Sequence, residues 1–318
     1  MLTLGSRSPV HRNRWGSTQL ILVLCLGTVL SSGALAQSSA YAPNTGASAE
    51  SFPVKAECES ECGRSKPMKV GVDVVLVPVT VTDGMNRLVT GLAKEDFSVF
   101  ENDEAQQIRY FSAEDAPISI GILLDLSRSM TSKIDTAREA LGEFFKNAHP
   151  DDDYFVVTFA DRPELLADST RSIGSIQARL ASATPAGHTA LLDAIYLGIA
   201  KLRKAHYKRR ALLIISDGGD NHSRYRAREI KRLVQEADSE IYAIGIFDTI
   251  FKTPEEWSGK RLLTEITEAS GGRTITLDNV RDLPAIAAAV SLELRNQYVL
   301  GYQPSSISHD GKWRRIKV

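Results

Sequence analysis

From residue 117 onward, the chain alternates short apolar runs with longer stretches whose apolar positions recur every three or four residues. Residues 118–125 form a continuous apolar run, the pattern of a strand buried on both faces. Residues 131–148 carry Ile134, Ala137, Leu141, Phe144 and Phe145 at helical spacing. Strand-like runs follow at 154–161, 209–218, 240–248 and 273–277. Between them the spacing predicts helices over 173–183, 189–205, 224–237 and 254–270, with a last one over 282–297. The fourth of these is closed by Gly271-Gly272, a C-terminal stop signal. Apolar strands alternating with amphipathic helices imply an α/β fold, a doubly wound and mostly parallel Rossmann-like sheet covered on both faces.

Before this series the texture differs. VGVDVVLVPVTVTD, from Val70, is dense in β-branched residues and stops at the turn signal Asp83-Gly84. RLVTGL, FSVFEND and QQIRYFSAED follow as short strand-like pieces. After residue 298 the chain returns to strand texture in YVLGYQPSSISHDGKWRRIKV, with a turn at His309-Asp310-Gly311. Residues 70–115 and 299–318 are therefore expected to build a small flanking β unit from both ends of the chain, with 116–298 as the α/β domain between them.

The N-terminal region adds no fold but changes the expected compartment. Arg7, Arg12 and Arg14 precede the apolar stretch from Gln19 to Leu30, and Ala34-Leu35-Ala36 is a small-x-small cleavage signal. Residues 1–36 read as a signal peptide, which points to an exported protein, periplasmic or secreted. The apolar stretch is shorter than the ~20 residues of a membrane-spanning helix. Leu24 before Cys25 does not suit lipid attachment. Residues 37–69, rich in Ser, Ala, Glu, Gly and Pro, read as a flexible linker. Removing 1–36 takes away three arginines and no acid, so the formal charge falls from −1 to −4. No basic run suggests nucleic acid. Of the 3 cysteines, Cys25 leaves with the signal. Cys58 and Cys62 then fit a local disulfide or two free thiols better than zinc, because nothing nearby completes four ligands.

The candidate chemistry begins at GILLDLSRSM, residues 121–130. One reading is that Asp125 and the serines cap the helix that follows. The other is that Asp-x-Ser-x-Ser aims three oxygens at a hard divalent cation. Ligands in parallel sheets bind beyond the carboxyl ends of the strands, where both Asp125 and Asp217 fall. Two further segments, AGHTALLDAI at 186–195 and IISDGGDN at 214–221, bring more oxygen donors to strand ends and helix starts.

Together, DLSRSM, Thr189 and Asp217 resemble the three loops of the metal-ion-dependent adhesion site (MIDAS) of von Willebrand factor type A domains. The resemblance covers about residues 117–298. It implies that Asp125, Ser127, Ser129, Thr189 and Asp217 surround Mg²⁺ or Mn²⁺, the hydroxyls directly or through water and the acids often through water. It further implies a coordination position left for an acidic side chain of a protein partner. Few carboxylates leave the ion with residual positive charge, which suits that use. Arg128 departs from the glycine common in the family but removes no ligand. His188 reads as a loop residue rather than a ligand, and Asp220 and Asn221 as turn and cap residues. VPVTVTD, LAKEDFSVFEND and QYVLGYQP resemble a bacterial, largely acidobacterial, group of VWFA-related proteins.

The expected function is an exported, adhesion-type binding module that holds an acidic group of its partner through the cation, with no membrane span after signal cleavage. The alternatives are a structural scaffold with a vestigial metal site, or a hydrolase. Against catalysis, Ser127 stands where an aspartyl phosphatase places its second acid. Neither the G-x-S-x-G pentapeptide nor a G-x-x-x-x-G-K-[ST] phosphate loop occurs. Trp257 and Trp313 read as packing or interface residues. KLRKAHYKRR at 201–210 reads as a solvated helix end.

Overall fold

The computed structural model describes residues 74–85, 87–217, 219–247, 254–277, 279–305 and 314–318. The signal peptide, the linker, Cys58, Cys62, the turn at His309 to Gly311 and Trp313 lie outside these residues.

The central sheet has six strands. They are preceded by β1 (Val75–Val79), β2 (Val99–Glu101), β3 (Glu104–Gln106) and β4 (Ile108–Ser112). The sheet itself comprises β5 (Ser119–Asp125), β6 (Asp153–Phe159), β7 (Pro163–Thr170), β8 (Arg210–Ser216), β9 (Glu240–Ile246) and β10 (Thr274–Leu277), in the order β10-β9-β8-β5-β6-β7. All neighbours run parallel except β6 and β7. The helices are α1 (Ile134–Lys146), α2 (Ile173–Ala181), α3 (Leu191–Leu202), α4 (Ala227–Gln235), α5 (Pro254–Ser270) and α6 (Leu283–Arg295). The expected α/β class with a flanking β unit is the one observed.

Strand β5 explains why its run is continuously apolar. Ile118, Ile120, Ile122 and Leu124 join the core under α1 and α6, whereas Leu123 joins the opposite core, under α3, α4 and α5. Burial on both faces removes the polar half of the usual alternation. Gly121 sits where an added Cβ would run into the Phe155 ring and Leu212. The sequence reading passed over β7. Its exposure alternates irregularly, it opens on Pro163, and its register slips against β6. These are features of an edge strand, which propensity describes poorly.

The flanking β unit is two three-stranded antiparallel sheets around one small core. β11 (Tyr298–Tyr302) lies between β1 and β4, and β12 (Ile316–Lys317) pairs with β2, which pairs with β3. Val77, Val99, Leu300, Tyr302 and Ile316 are buried together there. The Tyr298 hydroxyl accepts from Leu92 N and donates to Val89 O, both at 3.1 Å. RLVTGL forms only an isolated bridge, Thr82 to Leu88.

A buried polar cluster marks the end of the sheet remote from Asp125. Glu240 is half-buried as a residue, with its carboxyl turned inward. It accepts from Gln297 Nε2 at 2.6 Å and from the Tyr242 hydroxyl at 3.3 Å. Burial pushes Glu240 up to about 7, with Glu293 adding to it and Gln297, Tyr242 and Arg209 opposing. Arg209, expected within a solvated basic run, instead donates to Ala116 O at 2.6 Å and Leu294 O at 2.7 Å. It ties the entry of β5 to the exit of α6. Trp257 is 61% exposed on α5 and so is not a core residue.

Candidate metal centre

The chain passes from β5 outward to β6 and later returns to place β8 on the other side of β5. The crossovers on the two sides diverge there, and a crevice opens beyond the carboxyl ends of β5 and β8. Leu124 pairs with Ile215, so Asp125 stands beside Ser216 at the rim, with Asp217 next along the chain.

Asp125 is fully buried. Its Oδ1 accepts from Ser127 N at 2.8 Å, and its Oδ2 accepts from the Ser216 hydroxyl at 2.6 Å. The first bond turns the chain sharply out of β5, an Asx turn. Burial pushes the Asp125 carboxyl up to about 7, and the Asp217 carboxylate adds to this; the serine hydrogen bonds oppose it. Two buried carboxylates held close favour a cation beside them.

The serine hydroxyls bear on both readings of DLSRSM. Residues Arg128–Met130 form a single 3₁₀ turn, and no side chain of Ser127 or Lys133 caps the helix that follows. The hydroxyls of Ser127 and Ser129 instead meet each other at 3.1 Å. Met130 is buried and pins the turn into the core below. Capping accounts for the Asp125 bond to Ser127 N but not for the paired hydroxyls.

Backbone bonds lock the three loops together. Leu126 N donates to Phe159 O at 2.8 Å, Ala186 N to Leu126 O at 2.7 Å, and Arg128 N to Gly187 O at 3.2 Å. Asn221 N and His222 N each donate to Thr189 O at 3.1 Å, while Thr189 N donates to Asn221 Oδ1 at 2.9 Å. Thr189 is nearly fully buried and Asp217 buried. Asp125, at the last position of β5, and Ser127, Ser129, Thr189 and Asp217, on the segments that follow strands or precede helices, thus lie at one end of the sheet.

The neighbouring residues serve those loops. Gly187 has a φ of +80°, and a Cβ there would meet the Asp161 carboxylate. Asp161 Oδ1 accepts from His188 N and pairs with His188 Nδ1, both at 2.8 Å. These bonds hold the Asp161 carboxyl below the usual range. The His188 ring stacks on His222 with centroids 5.0 Å apart. Asp220 accepts from Leu192 N at 3.3 Å and from the Ser223 hydroxyl at 2.5 Å, and burial raises its carboxyl. Asp193 in turn accepts from Arg224 N at 2.9 Å and Tyr225 N at 3.1 Å. Together, Asp220 and Asp193 clasp the third loop to the start of α3.

Two residues at the site have no forewarning in the sequence reading. Ser216 adjoins Asp217 but sits within an apolar strand pattern. Lys133 reads as an ordinary helix-start lysine, yet its Nζ donates to Asp217 Oδ2 at 3.2 Å and to Ile246 O at 3.3 Å. A polar residue at the last position of a buried strand was the only available signal for Ser216. No signal marked Lys133.

The donor set fits a hard divalent ion. It offers neutral hydroxyls beside two carboxylates, with no sulfur or imidazole among the five. Among the described residues, no group of three or more His, Cys, Asp or Glu could hold a metal by itself. Any ion here therefore depends on the hydroxyls.

Residues 120–219 match the family model of the von Willebrand factor type A domain. No curated protein matches the chain. Among solved structures, the chain is similar to the conserved hypothetical protein BatB from Bacteroides thetaiotaomicron, at 19% identity over 56% of this chain and 97% of that one, with a TM-score of 0.45. A von Willebrand factor type A protein from Catenulispora acidiphila is similar at 13% identity over 70% and 50%, with a TM-score of 0.49. Proximal thread matrix protein 1 from the mussel byssus, with a zinc-occupied MIDAS motif, is similar at 20% identity over 61% and 49%, with a TM-score of 0.48. The chain thus spans about half the length of the latter two.

Proposed function

Starting from a von Willebrand factor type A domain at the centre of this chain, we propose that the protein is an exported binding module. Asp125, Ser127, Ser129, Thr189 and Asp217 would hold Mg²⁺ or Mn²⁺, and an acidic side chain of a protein partner would complete the ion's coordination. The observation that carries this reading is the pair of hydroxyls, Ser127 and Ser129, 3.1 Å apart beside the buried Asp125. Neither hydroxyl caps the helix that follows. The ion would supply a positive centre that neutral donors do not quench. The protein's contribution is to hold the donors in place through the locked loops. Export rests on the basic, apolar and small-x-small order of residues 1–36. Among the described residues, no helix is long and apolar enough to cross a membrane.

Thermal unfolding in EDTA, and then with Mg²⁺, Mn²⁺ or Ca²⁺, tests the metal. A ligand at 100 times its Kd stabilises by about 2.7 kcal/mol, a midpoint shift of roughly 5–10 °C for a domain this size. The shift is expected in the wild type and absent from Asp125→Ala; a shift that survives the substitution refutes the site. A scaffold with a vestigial site is the second reading, favoured by the Lys133 ammonium on Asp217. It expects no shift with any ion.

A further inference from the structure

Lys133 stands at the N-terminus of α1, where the helix dipole disfavours a positive charge. Its side chain crosses the ends of two strands, donating to Asp217 on the β8 side and to the last carbonyl of β9, Ile246 O. The contact is largely out of water: the side chains are 20% exposed for Lys133 and 9% for Asp217. The anchor on Ile246 O fixes the ammonium independently of the carboxylate. With both carboxylates ionised, Lys133, Asp125 and Asp217 carry a formal charge of −1; without Lys133 the pair would carry −2.

We propose that Lys133 is a built-in counter-cation of this site, which competes with a divalent ion for Asp217. The inference rests on the metal-binding reading above. With no ion bound, Lys133 offsets the repulsion between Asp125 and Asp217. When an ion binds, Asp217 is shared between two cations, which repel one another at short range in a poorly screened site. Affinity for the ion is thereby lowered, and a bound ion keeps more of its charge for an acidic partner. The module is thus tuned to load only where divalent ions are abundant.

The test uses the full chain as wild type, Lys133→Met and Lys133→Arg, with Lys133→Gln as a second neutral variant should the methionine variant not fold. Calorimetric titration with Mg²⁺ and Mn²⁺ is paired with unfolding midpoints in EDTA. The neutral variant is expected to bind Mg²⁺ about tenfold tighter than wild type, as removal of one close charge requires. It is also expected to lose stability in EDTA and to regain it with Mg²⁺. Lys133→Arg, which keeps the charge, is expected to stay within about threefold of wild type. Measurable but equal affinities in the wild type and the neutral variant overturn the inference and leave the metal site standing. An arginine variant that behaves like methionine also overturns it. The absence of Mg²⁺ or Mn²⁺ binding in every protein overturns the metal reading, and the competition with it.

Discussion

The Ser216 hydroxyl donates to Oδ2 of Asp125 across 2.6 Å, joining residues 91 positions apart in the chain. It is a bond between the ends of two adjacent parallel strands, and it satisfies a carboxylate that has no solvent to turn to. Replacing Ser216 by Ala removes the donor and leaves the acceptor buried. The expected cost is about 1–3 kcal/mol, the usual penalty for an orphaned buried partner. Urea unfolding in EDTA measures it; a change below about 0.5 kcal/mol shows that the bond is dispensable.

Glu240 gives a pH dependence of definite sign. Its folded-state pKa is raised from 4.5 to about 7, so the folded protein keeps a proton that the unfolded chain has released. The stabilisation is fully present below about 4.5 and is lost as pH rises through about 7. Asp125, raised to about 7 as well, contributes with the same sign in EDTA. Glu240→Gln is expected to remove its own share, on the order of 2–3 kcal/mol between pH 5 and pH 8. Denaturant unfolding across that range checks it: an unchanged slope in the variant assigns the dependence elsewhere.

The tail supplies the middle strand of a sheet. Leu300 is fully buried in β11, between β1 and β4. Leu300→Ala is expected to cost about 2–5 kcal/mol. Deleting 299–318 should expose the amides of β1 and β4 to rapid hydrogen exchange. Protection that persists in 75–79 and 108–112 after the deletion contradicts a shared sheet.

Gly121 tests the packing beneath the site. A methyl group there meets Phe155 and Leu212 inside a filled core. Gly121→Ala is expected to destabilise by about 1–3 kcal/mol through overpacking. Thermal unfolding reads this directly, and a neutral result shows that the Phe155 ring can move aside.

Much of this architecture was legible in the chain. The apolar run ending at Asp125 reads as a strand buried on both faces, because covering both faces removes polar alternation. Pro254–Ser270 reads as a helix to its last residue, because Gly271 adopts a φ of +84° that stops it. DLSRSM, Thr189 and Asp217 are each short, local patterns, and a sheet of this class brings strand ends to one edge. β7 was not legible, since an edge strand with irregular exposure has no period to detect.

What the sequence determined by itself is the α/β class and, β7 apart, the order of the elements of the α/β domain, and it nominated the oxygen donors, because periodicity and residue chemistry are local properties. Only the tertiary structure decided that the serine hydroxyls face each other rather than the helix, that Ser216 satisfies Asp125, and that Lys133 reaches Asp217. Each of those contacts depends on where side chains from separate strands and helices come to rest. Strand register and the crossover geometry fix that, and no spacing along the chain encodes it.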